Sequence, residues 1–286
     1  MVFYNAACAW HVGFEVSQLD PSAVRAPTAL SWKGAALEIR VAAHNGLVRL
    51  PDGSDWPARE NTAHASFYGG TEATFFVVAT PDAWRRDPNF ASDPMVDEFF
   101  LGVTIHELTH TRHLPRLITR LQAVAARSRP AKLSLDDDVI QNTFGGNAEI
   151  REAFEAERDV FFEAAASSSR EPRRALIRKG LDLARARRAR YFTDENQYYQ
   201  ELEDIFLSME GAGQWASYVF ARRSRSAADA VAFVRDNKKY WSQDEGLALF
   251  LLLDLEVPRW QATIFSANDP GPFALLERTL ADEPRE

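Results

Sequence analysis

Two histidines four residues apart with a glutamate after the first, His106-Glu107-Leu108-Thr109-His110, form the group in this sequence best suited to chemistry. On a helix, positions i and i+4 project from the same face, so both imidazoles can reach one zinc ion at about 2.0–2.1 Å. Glu107, adjacent to the first ligand, can then act as general base toward the water that the metal activates. The bland alternative is a helix that carries two histidines for packing or solubility. The apolar stretch Phe99-Phe100-Leu101-Gly102-Val103-Thr104-Ile105 before the motif speaks against it, because it predicts a helix held inside a domain.

A catalytic zinc site needs a third protein ligand and leaves one position open for water. His113 lies seven residues after His106, about 10 Å of helical rise, and cannot reach the same ion while the helix is intact. Its reading is that of a nearby supporting or surface histidine. No histidine follows it, and Cys8 is the single cysteine, so the third ligand must be an acid. Glu210 sits beside Gly211 and Gly213 on a strongly amphipathic helix, where small residues would let a neighbouring helix approach. Two glycines inside a helix otherwise cost about 1 kcal/mol each relative to alanine. Glu149 is the main rival, with Glu152 and Glu157 on the same helix. Their bland reading is a solvated acidic face paired with Arg151 and Arg158.

These residues resemble the zincin superfamily of metallopeptidases. The branch with a glycine and a third histidine after the motif does not fit, since position 113 is His and position 116 is Arg. The thermolysin-like gluzincin branch fits better. There a later helix supplies a glutamate in a Glu-Gly-x-Ala-x-Tyr pattern, and Glu210-Gly211-Ala212-Gly213-Gln214-Trp215 is similar to it, with Gly for Ala and Trp for Tyr. The resemblance implies one Zn(2+) ion held by His106, His110 and Glu210, with Glu107 as general base. It also implies a peptide or protein substrate. It covers residues 106–110 strongly and 210–215 in part. An oxyanion-stabilising donor is expected as well, and Tyr198, Tyr199, Tyr218 and Tyr240 offer the chemistry, though each reads equally as a packing residue.

The elements that must position these side chains follow from periodicity. Residues 1–95 carry short β-like runs, such as 36–41 and 74–79, between turn-formers at 51–54 and 68–70. From about residue 95 the pattern becomes helical. Pro115 should break or restart the first helix. Further helices are expected over 147–168, from 172 to about 192, and over 195–221, 227–238 and 243–254, with 239–246 a loop. The fold expected is α+β and zincin-like, a small β-rich part (1–95) followed by a mainly helical catalytic region (96–286), with the pair at 147–192 an insertion. The arginines of that pair (Arg173, Arg174, Arg178, Arg185, Arg187, Arg188, Arg190) read as a solvated face against the acidic helix before it, or less plausibly as a surface for an anion.

Bulk composition excludes other classes. With 286 residues, 46% apolar and 26% charged, the chain is globular. A net charge of −8 gives no nucleic-acid footprint. One cysteine rules out a disulfide framework, and the longest apolar run, 247–253, is far short of a membrane span. The expectation is a soluble protein, cytoplasmic or exported and shown without its signal. The alternative function is an inactive zinc-binding or partner-binding module, but a purely structural site needs no acid at position 107 and would close its fourth position with Cys or His.

Overall fold

The computed structural model describes residues 1–13, 22–26, 31–32, 34–58, 63–68, 73–127, 137–235 and 240–281. The turn expected at 69–70 and the lysine at 239 lie outside them. The fold is α+β: a mixed sheet first, helices after. By packing, the chain divides into Met1–Pro115 and Arg116–Glu286.

In the first unit the strands are β1 (Val2–Tyr4), β2 (Cys8–Val12), β3 (Val24–Arg25), β4 (Ser31–Trp32), β5 (Ala35–Ala36), β6 (Ile39–Ala43), β7 (Leu47–Arg49), β8 (Asp55–Pro57), β9 (Ala63–Tyr68) and β10 (Ala73–Ala79). Six of them form one sheet in the order β3-β6-β2-β1-β10-β9. β1 lies parallel to β10, with Val2 opposite Val77, while the other pairs are antiparallel. The run expected at 36–41 is split between β5 and β6. β10 lies between β1 and β9 and is apolar from Phe75 to Ala79, all of them buried. Its Phe76 meets Phe3 edge-on at 5.7 Å, and Phe3 reaches Phe100 at 6.0 Å. Phe100 belongs to α2 (Val96–Arg127), which follows the short α1 (Pro81–Trp84). Val96, Phe99, Phe100 and Val103 thus dock the start of α2 on the core of Val2, Tyr4, Phe75–Ala79 and Trp84. Side chains of this size stabilise by about 1.5–3 kcal/mol each when fully buried. The opposite side of α2 stays in solvent at Leu101 and Leu108, so the helix is not apolar-packed all round.

Pro115 does not end α2; the helix passes through it to Arg127. A proline removes the N–H that would bond to the carbonyl four residues earlier, here that of Thr111. The Thr74 hydroxyl on β10 donates to that carbonyl at 2.8 Å instead. The break expected at Pro115 is therefore absent, because a strand fills the orphaned acceptor.

The second unit holds α3 (Val139–Phe144), α4 (Ala148–Ala166), α5 (Arg170–Tyr191), α6 (Tyr198–Ala221), α7 (Ala227–Val234), α8 (Trp241–Glu256), α9 (Trp260–Ile264) and α10 (Pro272–Ala281). α4 and α5, the pair expected as an insertion, bury Phe161, Ala164, Ile177, Leu181 and Ala184 in one core with Leu207, Phe250 and Leu253. The arginines of α5 are not simply a solvated face. Arg174 is buried and pairs with Glu256 at 2.7 Å; Arg187 is buried and pairs with Glu157 and, at 2.9 Å, with Glu203. Helical periodicity carries both into the bundle, and burial of a guanidinium is tolerated only with carboxylates in reach. Trp241 to Gly246, expected as a loop, is the first part of α8. The Gln141 side chain accepts from the Trp241 N–H at 3.0 Å, and Trp241 stacks on Phe154 with centroids 4.5 Å apart.

Candidate metal centre

α2 brings His106, Glu107 and His110 together. One ligand atom from each lies within 4.8 Å of the other two, and all three side chains are buried. The His106 and His110 rings meet edge-on with centroids 4.4 Å apart. Neighbouring imidazoles one turn apart, with a carboxylate between them, are a donor set suited to one divalent ion of borderline softness such as zinc. Among the described residues this is the group of His, Cys, Asp and Glu whose geometry fits a metal. The helix is held at this point from both directions: Phe99, Phe100 and Val103 anchor the turns before the motif, and the Thr74–Thr111 bond anchors the residue after His110.

His113 is fully buried, so of its two readings the surface one falls. His64 is a neighbour that spacing arguments miss. It lies on β9, at the edge of the sheet, and stacks on Trp56 with centroids 5.2 Å apart. By surface area it is an exposed residue, yet packing against its surroundings desolvates the ring and pushes its pKa below the usual imidazole value. Asp52 opposes that shift, and the nearby His110 adds to it. No local pattern marks His64, because its place depends on strand pairing.

Compared with protein-family models, with curated proteins and with solved structures, the chain matches none of them.

Glu210 lies on α6 and is buried. Its Oε2 accepts a hydrogen bond from Gln243 Nε2 at 3.2 Å, and Gln243 Oε1 accepts one from Gln214 Nε2 at 2.7 Å. Gly211 serves the crossing of α6 with α8. A Cβ there would come within 2.6 Å of the Phe250 ring and 2.9 Å of the Gly246 backbone. Trp215, which stands where the resemblance expects a tyrosine, donates from Nε1 to Asp254 at 2.6 Å and packs edge-on against Trp260. The rivals for third ligand lie elsewhere on α4. Glu149 is exposed, pairs with Arg190 and accepts from the Tyr191 hydroxyl at 3.3 Å. Glu152 is exposed, and Glu157 is spent on Arg187. Of the tyrosines, Tyr199 is a core residue beside Phe144 and Phe192.

Among the described residues, no helix is long and apolar enough to cross a membrane.

Proposed function

We propose that the protein is a zinc-dependent hydrolase that cleaves a peptide or similar amide bond. The observation that supports this reading is the buried His106–Glu107–His110 group, with its donor atoms within 4.8 Å of one another on one helix. Zinc, when bound, supplies a Lewis acid that lowers the pKa of water and polarises a carbonyl. His106 and His110 hold it through ring nitrogens, and Glu210 is the third ligand in this reading. Glu107 is the general base. Its carboxylate takes a proton from the attacking water as the new C–O bond forms, then returns that proton to the amine nitrogen as the C–N bond breaks. Burial of Glu107 keeps bulk water from competing for that proton and strengthens its interactions with a developing charge.

The test is Glu107→Gln, with zinc content and turnover of a broad peptide library measured on the same preparation. The variant is expected to keep stoichiometric zinc and lose hydrolysis by at least about a hundredfold. Loss of metal in step with activity would make Glu107 a ligand and sink the assignment. A wild type that binds zinc but turns over no amide would hand the role to the inactive-module reading.

A further inference from the structure

We infer that Gln243 is a positioning residue for the Glu210 carboxylate, fixed in place by Gln214; this rests on the reading of Glu210 as third metal ligand.

The polarity of the contact is set by chemistry. An ionised carboxylate only accepts hydrogen bonds, so the Gln243 atom that faces Glu210 Oε2 at 3.2 Å must be its amide nitrogen. The Gln243 oxygen then faces Gln214, which must present its own nitrogen, and the 2.7 Å separation is that of a good bond. One sense of the relay satisfies both contacts, Gln214 to Gln243 to Glu210. Reversing either amide would set acceptor against acceptor.

The fold holds the relay stiff. Glu210 and Gln214 are one turn apart on α6, so they stack on the same face. Gln243 comes from α8, less than one turn before Gly246, where the two backbones meet: a Cβ on Gly246 would lie 2.7 Å from Gly211 Cα. The start of α8 is fastened by Gln141 to the Trp241 N–H and by the Ser242 hydroxyl to the Asp137 carbonyl at 3.1 Å. Gln243 is therefore placed by two elements, not by its own rotamer preference. Its neighbours in sequence are committed elsewhere, Asp244 to Arg235 at 2.7 Å and Glu245 to the interior of the bundle. A donor on one oxygen of a ligating carboxylate fixes the orientation of the group before the ion arrives.

The experiment is zinc affinity of the full chain, measured by competition with a chromophoric chelator, together with the visible spectrum of the cobalt-substituted protein. Gln243→Met keeps length and removes the donor. It is expected to weaken zinc binding by about 10- to 100-fold and to shift the cobalt bands. Gln214→Met, which only frees Gln243 to turn, should move both readouts in the same direction by less, and it serves if Gln243→Met does not fold. Affinities within twofold of wild type and unchanged cobalt spectra in the folded variants would overturn the inference. Glu210→Gln is run beside them. If it binds zinc as wild type does, the third-ligand reading itself fails; if it loses zinc while Gln243→Met keeps it, only the positioning role fails.

Discussion

Thr74 and Thr111 are joined by a hydroxyl-to-carbonyl hydrogen bond of 2.8 Å, made to the one backbone acceptor that Pro115 leaves without its helical donor. The bond ties β10 to α2 one residue after His110. It links the sheet to the His106–His110 turn at the place where the helix's own ladder is interrupted.

Thr74→Val, which keeps the shape and loses the hydroxyl, should therefore destabilise the protein by about 1–3 kcal/mol, the cost of leaving a shielded carbonyl unsatisfied. Urea unfolding measures it. Equal stability would show that the Thr111 carbonyl finds water and that the strand bond is incidental.

Glycines at a helix crossing make a prediction of opposite sign to their propensities. Gly211→Ala should gain about 1 kcal/mol of helix propensity. The added methyl, however, would sit 2.6 Å from the Phe250 ring and 2.9 Å from Gly246 backbone, and backbone cannot step aside cheaply. Overpacking of this kind costs about 1–3 kcal/mol, so the clash wins. Calorimetry of Gly211→Ala and Gly246→Ala should show lower Tm for both. A raised Tm in either would mean that α6 and α8 separate freely.

Metal content distinguishes the ligands from the bystanders. His106→Ala and His110→Ala should each lose most zinc at neutral pH, whereas Glu149→Ala should keep it, since Glu149 is already engaged with Arg190 and solvent. Elemental analysis after dialysis reads this directly. Full zinc in both histidine variants would make the motif a coincidence of sequence.

The pH dependence of stability should carry the mark of Glu245. Its side chain is fully buried on α8, and neither carboxylate oxygen has a hydrogen-bond partner among the described residues. Facing it are Glu157 from α4, Arg187 and Arg188 from α5, and Glu203 from α6. The two arginines are already paired, Arg187 with Glu157 and Glu203 and Arg188 with Glu203 and Asp204. α10 packs on α8 through apolar residues such as Phe273, and its Glu277 is paired with Arg185. Burial above all, and then the Glu157 charge, hold the Glu245 pKa well above the usual carboxylate value of 4.5. A raised folded pKa stabilises fully below the unfolded value and loses that contribution as pH climbs toward the folded one. Wild type and Glu245→Gln should thus be similarly stable at pH 4. The variant should become the more stable of the two as pH rises past about 4.5, by up to about 1.4 kcal/mol per pH unit. A Glu245→Gln protein that falls further behind wild type with rising pH would show an ionised, stabilising Glu245.

What the sequence determined by itself is local. Spacing of four residues places His106 and His110 on one helical face whatever surrounds them, and the structure shows that pair buried with Glu107. The same periodicity marked α4, α5 and α6 to within a few residues, because a helix closes its hydrogen bonds within its own segment. The tertiary structure decided whatever needs a partner distant in sequence. The parallel pairing of β1 with β10 depends on which strands meet, and the place of His64 near His110 depends on the pairing of β9 with β10. The continuity of α2 through Pro115 depends on a hydroxyl from Thr74. Whether an arginine on α5 faces water or a glutamate depends on the helices around it: Arg187 is buried against Glu157, while Arg190 pairs with Glu149 in solvent. Gln243 gave no signal as a motif, since an amide becomes a positioning group only when packing sets a carboxylate 3.2 Å away.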